Sequence, residues 1–226
     1  MLKKLVRACG YDVRRRRWRP EHLARLVEAR TVVDVGVASG TWELYKAFPN
    51  ARFVLVEPLR DYEPELQKIA RQYRCDIVYK ALGDVEERRE IYVDSEIRTR
   101  SSLHERTELT RTGSVLEKRE IEVTTLDRLL ESHPDLEGPL LLKIDTEGYE
   151  LNVIRGGVAF LRQVDVVIAE VSVAERFSGS YAFAEFIGTM AEEGFDVHDF
   201  LRLSYRRDGT GTQMADIAFV NRDRFG

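Results

Sequence analysis

The sequence predicts an α/β fold: a doubly wound, Rossmann-like, mostly parallel seven-stranded sheet with helices on both faces and an antiparallel hairpin at its C-terminal end. Three observations lead there. Short apolar, β-branched runs recur along the chain, as strands buried on both faces require. Stretches with apolar residues at helical spacing lie between most of these runs, so successive strands can run parallel. The last two runs are joined by a Gly- and Thr-rich stretch with no helical pattern, which suits a hairpin.

The first strand is TVVDVG, Thr31 to Gly36. A helix follows from Ser39 to Phe48, with Ser39 or Thr41 as its cap and Pro49-Asn50 as its stop. Arg52 to Val56 (RFVLV) is the second strand and ends at Glu57-Pro58. Asp61 to Tyr73 carries Tyr62, Leu66, Ile69 and Tyr73 at helical spacing, and Cys75 to Leu82 is the third strand, closed by Gly83-Asp84. The alternation then breaks. Arg89 to Val93 and Arg119 to Thr124 read as strands around a polar segment, Asp94 to Lys118. An insertion this long is more often a functional loop or lid than filler. Regular order resumes with a short helix at Thr125 to Ser132, a strand at Leu140 to Asp145, a helix at Tyr149 to Arg162 and a strand at Val164 to Val171. A helix at Tyr181 to Glu193 stops at Gly194, and Phe195 to Leu203 and Ala215 to Val220 form the hairpin. Residues 31–226 thus make one domain with a polar loop inserted around 94–118, preceded by a basic helical arm at 1–30.

Bulk properties narrow the function classes. With 226 residues, 43% hydrophobic and 33% charged, the chain can bury a sizeable core. The 35 basic and 39 acidic residues leave a net charge of −4, so nucleic acid is not an expected partner. The two cysteines, Cys9 and Cys75, form no disulfide framework and no zinc-binding spacing, which points to a reduced, cytoplasmic setting. No apolar run approaches a membrane span, and the first residues lack the long apolar centre of a signal peptide. The basic run Arg14 to Arg17, with Trp18 and Arg19, is read first as a solvated arm paired with acids of its own domain. Peripheral membrane contact and a homodimer contact are its other candidate roles.

In doubly wound sheets ligands sit beyond the carboxyl ends of the strands. The first such end is VVDVGVASGT, Val32 to Thr41. Gly36 and Gly40 stand as G-x-x-x-G. The second glycine of a dinucleotide fingerprint is replaced by Ala38, and no G-K-[ST] follows. Glu57 ends the next strand, where a carboxylate can accept both hydroxyls of a ribose.

These residues resemble the class I S-adenosylmethionine-dependent methyltransferases: D-V-G-x-x-x-G after strand one, V-E-P after strand two and A-L-G-D after strand three. Later pieces resemble the FkbM family within that class. They are Arg100-Ser101-Ser102-Leu103, Val123-Thr124-Thr125-Leu126-Asp127, the block Lys143-Ile144-Asp145-Thr146-Glu147-Gly148-Tyr149-Glu150, Gly156-Gly157, and the V-I-A-E strand ending at Glu170. One departure is Val37-Ala38-Ser39, where the family commonly has Ala-Asn and another small residue. The resemblance implies S-adenosyl-L-methionine as cofactor and methyl transfer to a hydroxyl of a sugar, glycan or secondary metabolite. It also implies that Asp34, Gly36 and Gly40 line the methionine side, that Glu57 holds the ribose, and that Gly83 and Asp84 lie near the adenine.

Methyl transfer to an alcohol needs a general base in hydrogen-bond reach, or a metal that acidifies the hydroxyl. Asp145 and Glu147, at the end of the strand beginning LLL, are the first candidates. Alternation puts them on one face with Lys143. Glu150 reads as an exposed acid of the first helical turn. His104, in the polar insertion, is the third candidate base, while His22, His133 and His198 read as structural or exposed. Asp145, Glu147 and Glu170 could offer oxygen ligands to a divalent metal, although their spacing is no signature. The rival readings are an NAD-dependent oxidoreductase and a non-catalytic scaffold of the same fold.

Overall fold

The computed structural model describes residues 16–94, 101–108 and 115–224. The main sheet has seven strands in the order β3-β2-β1-β7-β8-β10-β9. Its parallel part is β1 (Thr31–Val35), β2 (Arg52–Val56), β3 (Arg74–Val78), β7 (Leu140–Ile144) and β8 (Val166–Ser172). The hairpin β9 (Phe195–Tyr205) and β10 (Thr212–Asn221) closes one edge, and β10 runs antiparallel to both β8 and β9.

Every residue of β1, β7 and β8 is buried, because helices cover both faces. Alternation splits their side chains between two apolar clusters. Val32, Phe53, Leu55, Leu141 and Ile168 pack on one face with α1 (Pro20–Leu23), α2 (Trp42–Ala47) and α3 (Glu63–Ala70). Val33, Val54, Leu142, Ile144 and Val167 pack on the other with α4 (Leu126–Ser132), α5 (Glu150–Arg155), α6 (Val158–Leu161) and α7 (Phe183–Glu192).

Three features depart from the sequence-based expectations. The third strand stops at Val78, and Ala81–Leu82 becomes β4 of a separate sheet in the order β4-β6-β5, with β5 at Glu87–Asp94 and β6 at Leu116–Thr124. Its inward residues, Ile91, Val93, Ile121 and Val123, join the first cluster, so the break serves burial of a second layer. The stretch Asp61 to Tyr73 is a 3₁₀ turn at Arg60–Tyr62 followed by α3. The helix expected over Tyr149 to Arg162 divides at Gly156-Gly157. A Cβ on Gly156 would lie 2.0 Å from the carbonyl oxygen of Gly83, so a bare backbone is required there. In the N-terminal segment the described contacts run to the same chain. Leu23 and Leu26 are buried, Arg17 and His22 pair with Asp199, and Arg16 lies 4.0 Å from Glu43. Arg14 and Arg15 lie outside the described residues. Among the described residues no helix is long and apolar enough to cross a membrane.

Candidate active site

A cleft of about 410 Å³ opens beyond the carboxyl ends of β1, β2 and β7. One wall is the glycine loop. Gly36, Ala38 and Gly40 all have positive φ, at 76°, 45° and 100°. Gly36 is pressed against β7, where an added Cβ would meet the carbonyl oxygen of Asp145 at 1.8 Å. Asp145 N donates to Val35 O and Gly36 N to Val56 O, so the loop is anchored to both neighbouring strands. Ala38 holds a left-handed conformation that costs an L-residue about 1 kcal/mol. Its compensation is Glu57, whose Oε2 accepts the Ala38 N–H at 2.9 Å while Oε1 accepts that of Leu59 at 2.9 Å. Burial pushes the Glu57 carboxyl up to about 7, against those two hydrogen bonds and the nearby Lys143. Each oxygen keeps lone-pair capacity for a further donor from the cleft.

Asp34 lies beneath this wall, fully buried, and does not line the cleft. It accepts from Tyr45 Oη at 2.6 Å and sits 3.5 Å from Lys143 Nζ. Lys143 also reaches Asp145 Oδ2 at 3.3 Å. Burial works against the lysine's charge, but Asp145, Asp34 and Glu170 outweigh it and hold its pKa above the usual lysine range.

The three acids of the following turn have different environments. Asp145 faces the cleft with 32% of its side chain exposed. Glu147 lines the cleft too, but its Oε2 is met by Nη2 of Arg106 at 3.3 Å and by Nη2 of Arg176. Glu147 also has a positive φ of 52°. Glu150 is buried rather than exposed: it accepts from Thr146 N, Gly148 N, Thr146 Oγ1 and Tyr181 Oη, so it ties the turn before α5.

The cleft does not reach His104, Gly83 or Asp84. The His104 ring packs on Tyr149 with centroids 5.3 Å apart, and burial, with Arg89 beside it, lowers its pKa. Gly83 N donates to Thr124 O, and Asp84 Oδ1 accepts from Asn152. The early break of the third strand explains the shift, because Lys80, Ala81 and Leu82 line the cleft instead. Among the described residues no group of three or more His, Cys, Asp or Glu could hold a metal ion. Sequence reasoning misses Arg106 and Arg176, which hold Glu147, and Arg202 and Asp216, which line the cleft together with Trp18. Arg106 and Arg176 reach Glu147 across 41 and 29 positions and Arg202 reaches Glu170 across 32, so no local spacing announces them.

The lining fits a cationic adenosine cofactor. Among the described residues it includes six acids (Glu43, Glu57, Asp145, Glu147, Glu170, Asp216) against three cations (Lys80, Lys143, Arg202), which suits a ligand with sulfonium and ammonium charges. It also offers the apolar rings and chains of Leu59, Tyr62 and Leu82 beside Glu57.

A family model described as the methyltransferase FkbM domain matches residues 34–197. Among curated proteins none matches the chain. Solved structures of similar shape include Aeropyrum pernix fibrillarin in complex with natively bound S-adenosyl-L-methionine, at 16% identity and a TM-score of 0.48 over 96% of this chain and 74% of that one. Another is magnesium protoporphyrin IX methyltransferase from Synechocystis with bound SAM, at 9% identity and a TM-score of 0.47 over 97% of this chain and 79% of that one. A third is the ribosomal protein L11 methylase of Lactobacillus delbrueckii subsp. bulgaricus, at 13% identity and a TM-score of 0.44 over 90% and 79%. With the family match spanning most of the domain and the cleft suited to the cofactor, the chain belongs to the FkbM methyltransferase family and uses S-adenosyl-L-methionine.

Proposed function

We propose that the protein is an O-methyltransferase acting on a hydroxyl of a sugar, glycan or secondary metabolite, with Asp145 as the general base. The supporting observation is the contrast between the acids of one turn. Asp145 is part exposed in the cleft beside Lys143, whereas Glu147 already has two guanidinium groups on its carboxylate and Glu150 is filled with donors. A base must be free to accept the proton it removes.

When bound, the donor supplies an electrophilic methyl group on sulfur. Asp145 accepts the proton of the acceptor hydroxyl, and Lys143 fixes the carboxylate's position from below. Gly36 and Gly40 let the loop close on the donor's amino acid end, and Glu57 offers its remaining lone pairs to the ribose. Leu103, Ile144, Ile168 and Met214 supply apolar lining that limits water near the reacting oxygen. The oxidoreductase alternative is disfavoured, because the Ala38 amide that a pyrophosphate would need is taken by Glu57. A free, half-buried Cys75 accords with the cytoplasmic setting we propose.

The test pairs calorimetry of S-adenosylhomocysteine with transfer of labelled methyl to a panel of hydroxylated acceptors. Asp145→Asn is expected to cut transfer by roughly 10²- to 10⁴-fold while leaving cofactor affinity within about threefold. Unchanged transfer removes Asp145 from the proton-accepting role.

A further inference from the structure

Six residues of alternating charge form one chain of ion pairs at the cleft, Arg106, Glu147, Arg176, Glu170, Arg202 and Asp216, and all but Arg106 and Arg176 line it. Arg106 meets Glu147 at 3.3 Å, and Arg176 bridges Glu147 and Glu170, the latter at 2.8 Å. Arg202 continues the line to Glu170 at 3.4 Å and to Asp216 at 2.6 Å. All but Arg202 are at most 16% exposed at the side chain. Burying so many charges is a poor way to gain stability, since desolvation consumes much of the attraction. The arrangement therefore calls for a role in holding geometry.

Its first links identify what is held. Glu147 receives the 101–108 segment twice: Arg106 on its carboxylate, and Ser102 Oγ on its backbone carbonyl at 2.6 Å. The same segment is fixed by Ser102 N on Tyr92 O, by Thr107 N on Arg176 O, and by Ser178 N on Glu105 O. Ser101, Ser102 and Leu103 line the cleft. Glu147 sits in the left-handed region, a conformation that persists only where its surroundings enforce it. We propose that Glu147 is a positioning residue: it docks segment 101–108 against the turn after Asp145 and so builds that wall of the cleft, with Arg106 as its direct partner. It does not take the proton. The proposal rests on the methyltransferase reading only for the identity of the cleft's ligand.

The test uses Glu147→Gln, Arg106→Gln and the double variant in the full chain, with near-UV circular dichroism as the folding check. Amide hydrogen exchange reports the wall, through the Ser102 and Thr107 amides. Calorimetry with S-adenosylhomocysteine reports the cleft. Each single variant is expected to speed exchange at both amides by about tenfold or more and to weaken binding by about tenfold. The double variant should be no worse than Glu147→Gln by more than about threefold, because Glu147→Gln already removes the contact that Arg106→Gln removes. Binding loss without faster exchange overturns the proposal, since Glu147 would then act on the ligand directly. A silent Arg106→Gln, or fully additive effects, also overturns it. If Glu147→Gln does not fold, Arg106→Gln carries the same two readouts. Failure of the unaltered protein to bind S-adenosylhomocysteine sinks the cofactor reading instead, while the exchange comparison still decides the clamp.

Discussion

Glu57 offers a quantitative test of how the site is built. Burial raises its carboxyl from an ordinary 4.5 to about 7. A carboxyl with a raised folded-state pKa binds more protons folded than unfolded throughout that interval, so stability falls as pH rises through it. The gap of about 2.5 pH units between 4.5 and 7 corresponds to about 3 kcal/mol in full. About 2.5 kcal/mol of this is lost between about pH 5 and about pH 8. Glu150 and Glu170 are also pushed up by burial and share the sign, so the slope of the unaltered protein alone does not isolate Glu57. The difference from Glu57→Gln does. A glutamine cannot titrate, and its amide can accept only one of the two N–H groups of Ala38 and Leu59. It therefore loses about 1–3 kcal/mol at every pH for the orphaned donor. The expected outcome of denaturant titrations is a variant less stable near pH 5 that draws level with, or overtakes, the unaltered protein near pH 8. Parallel pH curves for the two proteins would refute the argument that burial outweighs the two amide hydrogen bonds.

Two further predictions concern the supports of the glycine loop. Gly36→Ala and Gly179→Ala both place a side chain at positive φ, at 76° and 73°, and share a strain of about 1 kcal/mol. Only Gly36 meets backbone, so in thermal melts Gly36→Ala is expected to cost at least about 2 kcal/mol more than Gly179→Ala and to abolish S-adenosylhomocysteine binding. Equal losses would show that the loop can move away from β7. Tyr45→Phe removes the donor to buried Asp34 and the acceptor of the Thr41 N–H, with an expected cost of about 2–3 kcal/mol by denaturant titration and weakened cofactor binding by calorimetry. A loss under about 0.5 kcal/mol would mean that Lys143 and the Thr41 hydroxyl satisfy Asp34 without Tyr45.

What was legible in the sequence follows what is local. TVVDVG and LLLKI declare buried parallel strands because both of their faces must be apolar, and they lie side by side in the sheet. Gly36 and Gly40 declare their turn because only the backbone conformation is at stake. The second sheet was harder. Ala81–Leu82 is too short to show a period of its own, and it reads as the tail of the third strand until its partner, Val123–Thr124, is known. The sequence places the adenine near Gly83 and Asp84, whereas Lys80, Ala81 and Leu82 are the residues of this stretch that line the cleft. Gly156-Gly157 was visible as a motif, but its reason, contact with the Gly83 carbonyl and with Leu126, depends on residues more than thirty positions upstream in the chain. His104 looked like a base because a loop histidine has a suitable ordinary pKa, and only packing shows its ring turned to Tyr149.

The charges that end LLLKIDTEGYE show why a strand end must be read side chain by side chain. Alternation alone gives Lys143, Asp145 and Glu147 one face and therefore one role. The structure breaks the alternation at Glu147, whose left-handed backbone turns the chain, and the roles separate there. Lys143 looks down, to Asp34, and sideways, to Asp145. Asp145 keeps an open side toward the cleft. Glu147 and Glu150 turn to guanidinium, amide and hydroxyl partners that hold the turn. A working carboxylate needs unused acceptor capacity and a fixed position, and these demands conflict within one residue. Here Glu147 and Glu150 spend their oxygens on holding the turn, while Asp145 keeps a side open to the cleft, as the base we propose must.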